Sequence, residues 1–143
     1  MLQYGPSAAG GGAFWAVASW YVIGRTAYYT PLVSVNVGQS LHGAIDMIGT
    51  SGSSYNYNCR FTNIPGTTII LLGSPQLVWA AVTLETYNLN FLSDYPVGST
   101  VFYPINVRTT NGVPSVTWTP VGGPITTVNI QGATNAKVTI KYP

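Results

Sequence analysis

The stretch Pro75-Gln-Leu-Val-Trp-Ala-Ala-Val-Thr-Leu-Glu-Thr-Tyr-Asn-Leu-Asn-Phe91 decides how the chain is read, because it sets Glu85, one of only three acidic residues, inside an apolar and aromatic run. An ionised carboxylate buried without a partner costs several kcal/mol. Glu85 is therefore expected to be protonated, strongly hydrogen-bonded or facing a cleft. Read as a strand, positions 79 to 91 place Trp79, Ala81, Thr83, Glu85, Tyr87, Leu89 and Phe91 on one face and Val82, Leu84, Thr86 and Asn88 on the other. A helix is the rival, since Ser74-Pro75 suits an N-cap and first turn, and Leu77, Ala80, Ala81 and Leu84 are good helix formers. The flanks favour the strand: Thr67 to Leu72 and Val101 to Val107 are β-branched or aromatic runs bounded by Gly and Pro.

Working outward, the same grammar recurs. Phe14 to Ile23 is apolar on both faces, as a central strand would be, and Thr83 to Phe91 is expected beside it in the same sheet. Val33 to Val37 and Leu41 to Ile48 read as two strands around Gly38-Gln39-Ser40, a hairpin-like connection. Tyr55 to Phe61 alternates Tyr55, Tyr57, Cys59 and Phe61 against Asn56, Asn58 and Arg60, the cleanest period-two pattern in the chain. Val101 to Val107, Ser115 to Thr119, Ile125 to Ile130 and Ala136 to Tyr142 are further strands, and Val128, Ile130, Val138 and Ile140 fit a terminal hairpin. Nine or ten short strands with no convincing helix predict an all-β fold, a two-sheet antiparallel sandwich spanning 1–143 as one domain. There is no internal repeat and no linker.

Composition narrows the function. Charged residues are 6% of 143, against about a quarter in an average domain, so the surface is built from Ser, Thr, Asn, Gln, Gly and Tyr. Such a surface titrates little between neutral pH and strong acid and suits an extracellular, acid-exposed or carbohydrate-facing protein. Arg25, Arg60, Arg108, Lys137 and Lys141 are scattered, which sets nucleic-acid binding aside. No apolar run approaches a membrane span, and the first residues lack the form of a signal peptide, so the chain is expected to be soluble. Cys59 is alone and reads as a small buried hydrophobe; with His42 in a different strand, neither a cysteine-based metal site nor a nucleophile is expected. Asp46 and Asp94 lie in unlike contexts, Asp94 in a turn, and no carboxylate pair is read from them. No metal or other cofactor is expected.

Two segments carry a family resemblance. Val82-Thr-Leu-Glu-Thr-Tyr87 resembles the strand bearing the catalytic glutamate of the eqolisins, the acid-acting glutamic peptidases of fungi, and Leu2-Gln3-Tyr4-Gly5 resembles their Leu-Gln-x-Gly segment with its catalytic glutamine. The intervening order is similar, through Phe14 to Ile23, Tyr28 to Pro31 and Val33 to Leu41, so the resemblance spans roughly residues 2 to 107. The chain departs from the family in opening two residues before Gln3, in reading Ala81-Val82 where the family has Glu-Trp, and in being slightly basic. The resemblance implies a concanavalin-like sandwich of curved sheets, a secreted protein, and a polypeptide substrate on the concave face. It further implies that Glu85 activates a water at acid pH while the Gln3 amide supports the oxyanion, with Trp15, Trp20, Tyr21 and Tyr87 as cleft walls.

The residues themselves leave two other classes open. A curved sheet bearing Trp15, Trp20, Tyr21, Tyr55, Tyr57 and Tyr87 among neutral amides suits a non-enzymatic, lectin-like glycan-binding sandwich. A structural protein without a ligand, most of its aromatics being core, is the third. Without the resemblance, Gln3 reads as a terminal residue.

Overall fold

A computed structural model describes residues 1–143 apart from Leu84, Thr86, Tyr87, Asn88, Pro96 and Pro124. The protein is all-β. Its sheets are antiparallel and do not close into a barrel, in keeping with the sandwich class expected, and among the described residues the helical content is one 3-10 turn at Leu92–Asp94. Among the described residues no helix is long and apolar enough to cross a membrane. The chain divides into two compact units, Met1–Val78 and Trp79–Pro143.

The first unit contains β1 (Leu2–Tyr4), β2 (Trp15–Val17), β3 (Trp20–Ile23), β4 (Thr26–Tyr29), β5 (Val33–Ser34), β6 (Gly43–Ser51), β7 (Ser54–Phe61) and β8 (Ile69–Ser74). They pair as β1-β2-β5, β3-β4 and β6-β7-β8. The longest ladder, β6 to β7, turns through Gly52-Ser53 between the paired Ser51 and Ser54. Gly52 has φ +59°, the left-handed conformation that tight two-residue hairpins require and glycine adopts without steric cost. The alternation of β7 sends Tyr57 and Cys59 inward, where they meet Leu71 of β8 with Tyr21, Tyr55 and Ile69 packed around them. Beyond β7, the buried Thr67 hydroxyl donates to Ile64 O (2.7 Å) and takes the Phe61 N–H (3.1 Å), fixing the turn into β8.

The expected strand over Phe14 to Ile23 is two strands in two sheets. At Ala18-Ser19 the chain leaves the β1-β2-β5 sheet and enters β3-β4. The reason is local: the buried Thr30 hydroxyl accepts the Ser19 N–H (3.2 Å) and Thr30 N–H donates to Ser19 O (3.1 Å), taking the groups a continuous ladder would use. Both faces read as apolar because Ala16, Val17, Ala18 and Ser19 are all buried at this step between sheets. The residues about Gly38 also differ from expectation. β5 pairs with β2 and β6 with β7, so no hairpin forms there.

The second unit holds β9 (Ser99–Ile105), β10 (Thr127–Gln131) and β11 (Ala136–Lys141), ordered β10-β11-β9. The expected terminal hairpin is present, with Val128 opposite Ile140 and Ile130 opposite Val138. Val138, Ile140 and Tyr142 are buried against Tyr95, Phe102, Ile105, Val128 and Ile130. Burial of each such aliphatic side chain is worth about 1.5–3 kcal/mol. Tyr142 also shares a hydroxyl hydrogen bond with Thr100, closing the end of the sheet.

Two expected strands of this half are not found among the described residues. Ser115 to Thr119 keeps its alternation as burial, with Val116 and Trp118 half-buried between exposed neighbours, but carries no strand pairing. The described residues of 79 to 91 are likewise outside any strand, and Trp79 is 79% exposed. At the far end of that segment the backbone is committed elsewhere. The Asp94 carboxylate accepts the N–H groups of both Asn90 and Phe91 at 2.9 Å, drawing them into the cap of the 3-10 turn.

Candidate functional site

Gln3 lies in β1 opposite Ala16 of β2, and its side chain closes a loop rather than standing free. The amide Nε2 donates to Gly5 O (3.0 Å) and Gly10 O (3.2 Å), while Oε1 accepts from Ser7 Oγ (3.0 Å). Ser7 and Gly10 exchange backbone hydrogen bonds of 2.8 and 3.0 Å, and Gly5 N–H reaches Gly12 O at 2.9 Å. The tip is anchored by the Tyr29 hydroxyl, which donates to Ala8 O (2.7 Å). Gly11 completes the fit. At φ +115° an added Cβ would collide with Gly5 O and fall 2.7 Å from Gln3 Nε2, so the cradle admits no side chain there. A primary amide has two N–H donors, and both are engaged.

The aromatic residues sort into cross-strand pairs. Tyr4 and Trp15 face each other across β1 and β2, ring centroids 5.1 Å apart and tilted by 56°. Trp20 and Tyr29 pair across β3 and β4 at 4.7 Å, and Tyr21 and Tyr28 at 6.1 Å. Tyr21 packs against the Tyr57-Cys59-Leu71 cluster, which makes it a wall of the core. Trp20 is half-buried, and its indole N–H is buried without an acceptor.

Trp15 differs from these. It is 39% exposed, and with Leu2, Val35, Asn36 and Gln39 it lines a cleft of about 210 Å3 in the first unit. Gln39 stabilises the far wall, where its side-chain oxygen accepts the Asn36 N–H (3.0 Å) and its own N–H donates to Asn36 O (3.1 Å). Tyr4, 58% exposed, extends the aromatic surface beside Trp15. This cleft joins an apolar ring face to neutral hydrogen-bonding groups, a combination suited to the CH face and hydroxyls of a sugar.

Glu85 belongs to the second unit and Gln3 to the first. Glu85 is exposed and outside any strand, which corrects the expectation that it stands on a strand. Tyr87 falls outside the described residues. The other two carboxylates have structural duties: Asp46 pairs with Arg60 (2.6 Å) across β6 and β7, and Asp94 caps the 3-10 turn, where the Asn90 and Phe91 N–H groups hold its carboxyl below the usual carboxylate range. Cys59 is buried, and burial, with the Asp46 charge second, pushes its thiol pKa up.

Sequence reasoning missed Asn36 and Gln39 as cleft residues and Gly5, Ser7 and Gly10 as partners of Gln3. The Ser-Ala-Ala-Gly-Gly-Gly run was the available signal for the latter, since a small-residue loop four positions after Gln3 lets backbone carbonyls close on its amide. No family model, curated protein or solved structure matches the chain.

Proposed function

We propose that the chain is a non-enzymatic binding protein for neutral glycans, suited to an extracellular setting, with Trp15 as the stacking platform. The observation that carries this reading is the part-exposed Trp15, in ring contact with Tyr4, lining a cleft edged by Asn36 and Gln39. The few charges of the chain support it, because neutral sugars are met by stacking and amide hydrogen bonds rather than by ion pairs.

A second reading, an acid-acting glutamic peptidase built on Glu85 and Gln3, is favoured by the Leu-Gln-x-Gly and Leu-Glu segments and by the exposure of Glu85. It requires the Gln3 amide to leave Gly5 O and Gly10 O, since both its hydrogens are held there.

One experiment separates them. Neutral oligosaccharides are titrated into wild type and Trp15→Ala, and denatured protein substrates are incubated with wild type and Glu85→Gln from pH 2 to 7. Saturable binding weakened about tenfold or more by Trp15→Ala, an effect of about 1.4 kcal/mol, with no cleavage, is the expected result. Acid-dependent cleavage lost in Glu85→Gln replaces it with the peptidase reading. Absence of both activities removes both.

A further inference from the structure

We propose that the second unit carries a separate site for a carboxylate-bearing sugar, a uronic acid, held by the Arg108 guanidinium between Asn106, Thr134 and Asn135. The site is independent of the Trp15 cleft. It lies within one unit and is assembled by the β-sheet itself. Pairing of Ile105 with Ala136 sets the residues leaving β9, Asn106-Val107-Arg108, beside the turn that joins β10 to β11. Asn135 N–H donates to Asn106 Oδ1 (3.0 Å) and fastens the two segments, with Asn135 at φ 49°, a left-handed conformation that asparagine tolerates better than most side chains.

Two further contacts stiffen the walls. Trp118 Nε1 donates to Ala133 O (3.0 Å), holding the same turn from a distant part of the chain. After Arg108 the chain closes a tight turn in which Thr109 N–H donates to Gly112 O (2.8 Å) and Gly112 N–H returns to Thr109 O (3.1 Å). The result is a concavity of about 390 Å3 lined by Asn106, Val107, Arg108, Val113, Thr134 and Asn135. That volume is of the class that holds small ligands.

The lining specifies the ligand chemistry. Arg108 is the only charged residue in it, and a guanidinium presents a planar fork of donors that matches a carboxylate in two parallel hydrogen bonds. Two carboxamides and a hydroxyl supply donors and acceptors for adjacent sugar hydroxyls. Val107 and Val113 give a small apolar surface for the CH side of a ring. A single cation among amides is too little for a polyphosphate backbone, which needs several. The shared requirement is one carboxylate on a polyhydroxylated ring.

The test titrates short galacturonate oligomers into the full chain and follows the side-chain NMR signals of Arg108, Asn106 and Asn135. Expected are saturable shifts, binding about tenfold or more weaker for a neutral glucose oligomer of equal length, and a similar loss in Arg108→Gln. Arg108→Lys falls between, because charge is kept while the fork is lost. Val113→Asp, at a position already exposed, gives a second loss by placing a like charge in the wall. Trp15→Ala leaves this binding unchanged, so failure here and failure of the neutral-glycan reading are distinguishable. Equal affinity for charged and neutral oligomers, indifference to Arg108→Gln, or acetate binding as tightly as the uronate oligomer would each overturn the proposal.

Discussion

Replacing Gln3 tests whether its amide is a loop fastener. Gln3→Ala removes three hydrogen bonds, two donated to Gly5 O and Gly10 O and one accepted from Ser7 Oγ. At 0.5–1.5 kcal/mol each they sum to a few kcal/mol, reduced because Gly10 is exposed and its carbonyl can turn to water, leaving roughly 1–3 kcal/mol. The assay is native-state hydrogen exchange at the Gly5, Ser7 and Gly10 amides, whose hydrogen bonds to Gly12, Gly10 and Ser7 close the loop. Exchange there should quicken about five- to hundredfold while the β10-β11 amides are unchanged. Gln3→Glu sharpens the test. Protonated, the new carboxyl can donate to one of the two carbonyls; ionised, it sets a negative oxygen against both. Its folded-state pKa is therefore raised above the unfolded value of about 4.3. The loop's stability is then fully present below that value and lost as pH rises through the folded pKa. If Gln3→Ala leaves loop exchange at the wild-type rate, or the Gln3→Glu loop is equally open at pH 3 and pH 7, the fastening role is wrong.

Cys59 in native protein should react slowly with a thiol reagent at neutral pH and rapidly once unfolded, because burial holds it as the thiol; fast native labelling would contradict the inward setting of β7. Ile140→Ala should cost about 2–5 kcal/mol by chemical denaturation, since Ile140 is 6% exposed at the centre of the second unit's core. The Asp94 carboxyl should titrate by NMR below the ordinary range of about 3.9, and its contribution to the 3-10 turn is present above that value and lost as pH falls through the folded pKa; a midpoint at or above 3.9 would break the cap assignment.

The legible parts of the fold are those where a pattern and its partner lie close in sequence. Tyr55 to Phe61 alternates cleanly and pairs with the strands on either side of it, so its aromatic face is the core face it promised. The Val128, Ile130, Val138 and Ile140 hairpin is legible for the same reason. Segment 79 to 91 alternates as well, yet alternation states only which side chains would share a face. It cannot state whether a neighbouring edge supplies the hydrogen bonds, and at Asn90 and Phe91 a carboxylate three or four residues on takes them instead. The break at Ala18-Ser19 depends on a threonine eleven residues away, beyond the reach of any local pattern. Trp15 and Tyr21 were both read as walls of a cleft holding Gln3 and Glu85; Trp15 lines a concavity with Leu2, Val35 and Gln39, and Tyr21, from the same apolar run, packs on the core. Nothing in residue type distinguishes those two. The sheet each enters does.

The nine-residue β6 forms one edge of its sheet, with Ile45, Met47 and Ile48 exposed along it. An edge of that length, without a second strand partner among the described residues, is a template on which another extended chain can lay itself. Asp46, in the middle of it and tied to Arg60 on the inner neighbour, makes the template selective. A strand laid opposite Asp46 must accommodate the Asp46-Arg60 ion pair, and a second carboxylate there would compete for the same guanidinium. In a molecule with so few ionic groups, this one pair is what an added strand would meet near the middle of β6.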